Sequence, residues 1–148
     1  MIIEAKEYFE ELAPFNKIIM PRFTSKSFEA DKDLVKKVAL CELIYEDSIM
    51  GHVKEAKDLN PKIIVSVKVK LNRESDTIAG ELTRNGAEVV HLYADYQGNE
   101  WDATPPRFIK NVIRKVHLRL VEKSIRDEVT IIASGGIGLS EHVAKVMP

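Results

Sequence analysis

The second half of the chain alternates between two hydrophobic rhythms. Ile63 to Val69 is β-branched almost throughout, which predicts a strand covered on both faces. Asp76 to Arg84 then carries apolar residues at helical spacing, with Ser75 as cap and Asn85-Gly86 as a left-handed stop. Glu88 to Tyr93 predicts the next strand. Ala94 to Thr104 reads as a loop and holds the only Trp. Thr104-Pro105-Pro106 is expected to start the longest helix, because proline is tolerated in a first turn. Its apolar face is Phe108, Ile109, Val112, Ile113, Val116, Leu118, Leu120 and Val121. Val129 to Ala133 predicts the last strand, Ser134-Gly135-Gly136 a tight turn, and Ser140-Glu141 the opening of a final helix. The β-α-β-α-β-α order argues for parallel strands joined by right-handed crossovers.

The first half is less regular. Ile2 to Leu12 predicts a short amphipathic helix, broken by Pro14 and Asn16. Lys17 to Met20 reads as a strand closed by Pro21. Phe23 to Ala30 is polar and reads as a loop. Asp31 or Asp33 is expected to cap a helix through Leu34, Val35, Val38, Ala39 and Leu40. Leu43 to Tyr45 predicts a brief strand, and Ser48 opens a helix ended by Asn60-Pro61. No linker or internal repeat divides the chain, so residues 1–148 are expected to form a single α/β domain.

At 148 residues the chain has room for one core, but falls short of the roughly 200–250 residues of a complete eight-stranded α/β barrel. The 22 Lys plus Arg balance 23 Asp plus Glu, a net charge of −1. That balance gives no electrostatic case for nucleic acid or an anionic membrane surface. No apolar run approaches the roughly 18 residues of a membrane span, and acids come too early for a signal peptide. The cytoplasm is the expected location. Cys41 is the only cysteine. It excludes an internal disulfide framework and a multi-cysteine metal cluster, and reads as a small buried hydrophobe.

Ligands of parallel α/β folds bind beyond the carboxyl ends of the strands. Three groups fall there: Lys68 with Lys70 and Asn72, the loop Tyr93 to Glu100, and Ser134-Gly135-Gly136-Ile137-Gly138. A lysine inside an apolar strand is either an anion clamp at the rim or an exposed strand end. The double glycine is either a phosphate cradle of backbone N–H groups or a plain turn. Asp95 and Glu100 are candidate acid–base groups or solvated loop acids. Tyr93, Tyr96 and Trp101 either stack on a ring or pack under the loop. His52, His91, His117 and His142 share no metal-ligand spacing and read as structural. No metal site is expected.

Read in order, these positions resemble the FMN-binding α/β barrel of glutamate synthase. The resemblance rests on Asn60-Pro61-Lys62, Val65-Ser66-Val67-Lys68-Val69, Thr77-Ile78-Ala79 and Asn85-Gly86-Ala87-Glu88-Val89-Val90-His91. It is strongest from Val116-His117 through Leu120-Val121 and Ile125 to Thr130, to Ile132-Ala133-Ser134-Gly135-Gly136-Ile137. It covers roughly residues 48–147. Together with the length, it implies an α/β fold that is a partial (half) TIM barrel.

The resemblance further implies an oxidoreductase that uses FMN to convert 2-oxoglutarate, through its imine, to glutamate. Lys68 would be the catalytic and flavin-facing residue, and Ser134, Gly135, Gly136 and Gly98 would help hold the cofactor. The family's loop G-H-D-G-G-T-G is replaced by Ala94-Asp95-Tyr96-Gln97-Gly98-Asn99-Glu100, where only Gly98 stays in register. The family's iron–sulfur cysteines have no counterpart, so no cluster is expected in this chain. The alternatives are a non-catalytic half-barrel that binds a phosphorylated ligand or a partner chain, and a piece of a longer protein of this type. Open strand edges also imply a homo-oligomer or a larger assembly.

Overall fold

A computed structural model describes residues 11–138. The helix expected from Ile2 lies outside them up to residue 10, as does the helix expected from Ser140. Five strands form one sheet: β1 (Arg22–Phe23), β2 (Leu40–Ile44), β3 (Ile64–Lys70), β4 (Val89–Tyr93) and β5 (Thr130–Ser134). All four pairings are parallel, and the strand order is the chain order. Each crossover therefore steps to the next strand in the same direction, and crossovers of one hand, the rule for parallel strands, keep the helices on one face. This is the arrangement of a partial α/β barrel. A doubly wound sheet would reverse its order and carry helices on both faces.

Two-residue periodicity divides the strands between the faces. Cys41, Leu43, Val65, Val67, Val69, Val90 and Leu92 are fully buried under the helices. Those helices are α1 (Ser25–Ala30), α2 (Lys32–Val35), α3 (Ile49–Leu59), α4 (Ser75–Arg84) and α5 (Ile109–Glu122). They contribute Phe28, Val35, Val53, Ala56, Leu82, Val116 and Leu120 to the same core. The opposite, inner face is mixed. One register row across it is Arg22, Glu42, Ser66, Val89 and Thr130. The next is Ile44, Lys68, His91 and Ile132, and the row at the carboxyl rim is Lys70, Tyr93 and Ser134.

Several sequence expectations need correction. The first strand is Arg22–Phe23, not Lys17–Met20, because pairing with β2 begins where Pro21 accepts a 2.9 Å bond from the Glu42 N–H. The segment expected as a loop contains α1. Its polar start is a capping box: Thr24 Oγ1 accepts the Ser27 N–H, and Ser27 Oγ accepts the Thr24 N–H. The next helix stops at Val35, since Leu40 already belongs to β2 and places Cys41 and Leu43 in the core.

The long helix begins at Ile109, five residues after the expected start at Thr104. Backbone groups ahead of it are used by the preceding loop. Glu100 N–H donates to Arg107 O at 3.0 Å, and Ile109 N–H to Gly98 O at 2.7 Å. The stop at Asn85-Gly86 is as expected, with Gly86 at φ +95°. Among the described residues, no helix is long and apolar enough to cross a membrane.

Leu92 lies within β4 with no exposure, whereas Leu118 on α5 is half exposed. Leu92→Ala is expected to cost about 2–5 kcal/mol through lost burial and a cavity, and Leu118→Ala to stay within about 0.5 kcal/mol. Urea unfolding midpoints of the two variants check this difference.

Candidate functional site on the inner face and rim

The inner face is organised by one carboxylate. Glu42 is fully buried, which is uncommon for an acid without partners. Its Oε2 accepts from Arg22 Nε at 2.7 Å, and its Oε1 lies 2.6 Å from His91 Nδ1. Burial alone would raise its pKa. The hydrogen bonds and charges of His91 and Arg22 outweigh burial and hold it below the ordinary carboxylate range. An ionised carboxylate only accepts, so His91 Nδ1 carries the proton in this pair. The other ring nitrogen, Nε2, lies 2.8 Å from Ser134 Oγ. A continuous chain, Arg22–Glu42–His91–Ser134, thus crosses the inner face from β1 to β5.

Lys68 stands one row nearer the rim than Glu42, in register with His91. It is half-buried, and its ammonium sits 4.8 Å from the centre of the Tyr93 ring. That cation–π contact is its partner; no carboxylate pairs with it among the described residues. Lys70 is committed elsewhere, to Asp102 at 2.6 Å and to the Trp101 ring at 4.9 Å. With Asn72, Arg73 and Thr104 these residues border an open cleft of about 590 Å³. Ser66, beside Glu42, has a buried hydroxyl with no hydrogen-bond partner.

The turn after β5 packs against the loop after β4. Gly135 and Gly136 have φ of +95° and +66°. A Cβ on Gly135 would lie 2.5 Å from the Ala94 carbonyl oxygen, and one on Gly136 would overlap the Gly98 backbone. Gly98, at φ +84°, faces the Phe108 ring. The sequence-predicted Gly98, Ser134, Gly135 and Gly136 are therefore brought together at one end of the sheet. Lys68 shares the inner face with them. The glycines are required both by positive φ and by close backbone approach.

The loop acids have structural tasks. Asp95 Oδ1 accepts the N–H groups of Gln97 and Asn99, both at 2.8 Å, a side-chain-closed turn. Glu100 is buried and paired with Arg107, whose hydrogen bond holds its carboxyl low despite partial desolvation. Tyr93 and Trp101 pack edge to face at 6.0 Å, while Tyr96 points to solvent. His52 and His117 contact Glu29 and Arg126; His142 lies outside the described residues. Glu29, His52 and Glu55 bring possible ligand atoms within 4.8 Å. Lys32 already pairs with both carboxylates there. The Cys41 thiol, under the helices, is pushed up to about 12 by burial and is not a nucleophile at neutral pH.

A family model for the conserved region in glutamate synthase matches residues 30–147. The chain belongs to this family. No curated protein matches it significantly. The family match spans four of the five strands and every inner-face residue named above except Arg22. The Glu42–His91–Ser134 chain escaped sequence reasoning because its members are 43 and 49 residues apart. The one available signal was an acid and a histidine inside otherwise apolar strands.

The low pKa of Glu42 sets the direction of its pH dependence. The folded state binds fewer protons than the unfolded state through the acid range. Glu42's contribution is therefore complete above the ordinary value of 4.5 and is lost as pH falls through the lowered folded value. Glu42→Ala leaves Arg22 and His91 facing a void and is expected to cost about 3–5 kcal/mol at pH 7. Glu42→Gln should flatten the loss of stability between pH 7 and pH 3. Urea midpoints at both pH values measure the two effects.

Proposed function

We propose that this chain is the FMN-binding oxidoreductase module of a glutamate synthase-type enzyme, acting on a substrate of the 2-oxoglutarate/glutamate class. The observation that carries the reading is Lys68: a half-buried cation on the inner face of a family-matched sheet, with an aromatic ring as partner and no carboxylate. The residues present fit an anionic flavin. Lys68 offers positive charge beside its ring system or beside a substrate carboxylate, and the Gly135-Gly136 turn that follows Ser134 offers backbone N–H groups at one sheet end for the phosphate, with Gly98, whose own N–H donates to Asp95 O at 3.1 Å, packed against it. The Ser134 hydroxyl is engaged by His91, so the turn holds phosphate through its backbone.

When bound, FMN supplies the redox chemistry. Lys68 favours electron density on the ring and orients the oxoacid. Tyr93 holds the Lys68 ammonium on the inner face through its ring. Tyr96 and Gln97 replace bare backbone in the family loop, so substrate contacts shift from that loop to the inner face. A single buried thiol is compatible with the cytoplasm.

Added FMN is expected to bind with a quenched flavin fluorescence and a yellow protein after gel filtration. Lys68→Met should weaken binding about tenfold or more, the worth of one charge-assisted contact. A folded protein that retains no FMN at high micromolar concentration would remove this reading.

The sheet supports self-association as part of the same proposal. Among the described residues, β1 and β5 each have one strand neighbour. Ile64 and Ile132 leave about two fifths of their surface exposed on the inner face, apolar surface that a closed barrel would cover. Two copies meeting across a twofold axis would cover both. Sedimentation equilibrium at micromolar concentration should give a dimer or larger; a monomer there contradicts it.

A further inference from the structure

The Glu42–His91–Ser134 chain has a geometry beyond what flavin binding requires. We infer that Ser134 is an activated nucleophile with His91 as its general base and Glu42 as the orienting acid, giving the inner face an acyl-transfer activity toward small ester substrates that bear a negative charge. The distances are those of a nucleophile–base–acid relay: 2.8 Å from Ser134 Oγ to His91 Nε2, and 2.6 Å from His91 Nδ1 to Glu42 Oε1. Such relays are recognised by geometry and roles, and recur on unrelated folds.

Three further features support the assignment. Arg22 holds Glu42 from the far side at 2.7 Å, which orients its other oxygen toward the ring. The ionised acid selects the Nδ1–H tautomer, which leaves Nε2 free to accept the serine proton. Ser134 ends its strand at the carboxyl rim, directly before two glycines with positive φ, and is partly exposed. A serine kept only for packing needs none of these. The Lys68 ammonium lies in the next register row, paired with His91 along the sheet. It supplies the positive charge on this face that would favour an anionic acyl group.

The step balances without a redox partner. Ser134 Oγ bonds to the acyl carbon while His91 Nε2 takes the hydroxyl proton. The acyl–oxygen bond to the alcohol breaks, and His91 returns that proton to the departing alkoxide. Water then repeats the sequence on the acyl-serine, releasing a carboxylic acid and restoring the hydroxyl.

The test is labelling of the full chain with a fluorophosphonate, read by intact mass and peptide mapping. The serine oxygen displaces fluoride from phosphorus, and His91 accepts the proton. A single adduct on Ser134 is expected. Ser134→Ala should abolish it. His91→Gln, which keeps both hydrogen-bond directions but not the base, should slow it about a hundredfold or more. Ser66→Ala, whose hydroxyl has no partner, should label like the wild type. No adduct on the folded wild-type chain, an adduct at another residue, or labelling indifferent to His91→Gln overturns the inference. None of these outcomes depends on FMN uptake, so this inference and the flavin reading fail separately.

Discussion

A buried carboxylate is stable only where its charge is met, and that requirement at Glu42 shapes the inner face. The two oxygens of Glu42 have one cationic and one imidazole partner, drawn from strands on either side of it. Removing either would leave a desolvated acid in a setting where several kcal/mol of penalty are expected. The register is thereby pinned. A one-residue slip of β4 would turn His91 toward the helices and place Val90 or Leu92 against the carboxylate. The parallel ladder from β1 to β4 and the electrostatics of Glu42 are thus mutually dependent.

That dependence explains why a two-residue strand persists. β1 has only Arg22 and Phe23, far below the usual strand length. Phe23 is anchored edge to face against Phe28 at 6.0 Å, and Arg22 is anchored on Glu42. One residue of β1 holds the helix-covered face and the other holds the inner face. Neither anchor is visible in local propensity. This is why the sequence pattern favoured the more apolar Lys17–Met20, whereas β3, with its β-branched run, was legible almost residue for residue.

The same contrast holds at the site. Lys68, Gly98, Ser134, Gly135 and Gly136 were legible because each breaks a local rule: a lysine inside a strand, glycines where a strand turns into a loop. The structure places them on one face and rim. His91 broke a rule too, but its meaning needed Glu42 and Ser134, which only the sheet register brings into reach. Periodicity assigns residues to faces; it does not say which of three strands supplies a neighbour. The start of α5 shows the reverse error. Pro105 and Pro106 are compatible with a first turn, yet the Glu100–Arg107 pair claims the backbone around them and delays the helix to Ile109.

The β4 loop meets the same tertiary demands. A glycine-rich loop leaves its backbone open to a ligand. Here the loop is closed on itself: Asp95 takes up the Gln97 and Asn99 amides, Glu100 holds Arg107, and Gly98 is fitted against Phe108 and the Gly136 turn. Each of these contacts removes a donor or an approach path that a ligand would otherwise use. Polar groups left for a ligand are then those the loop does not consume, and they lie on the inner face: the Lys68 ammonium and the Ser134 end of the His91 relay. The polar groups open to a ligand therefore sit on the strands that carry the Glu42 network rather than in the loop.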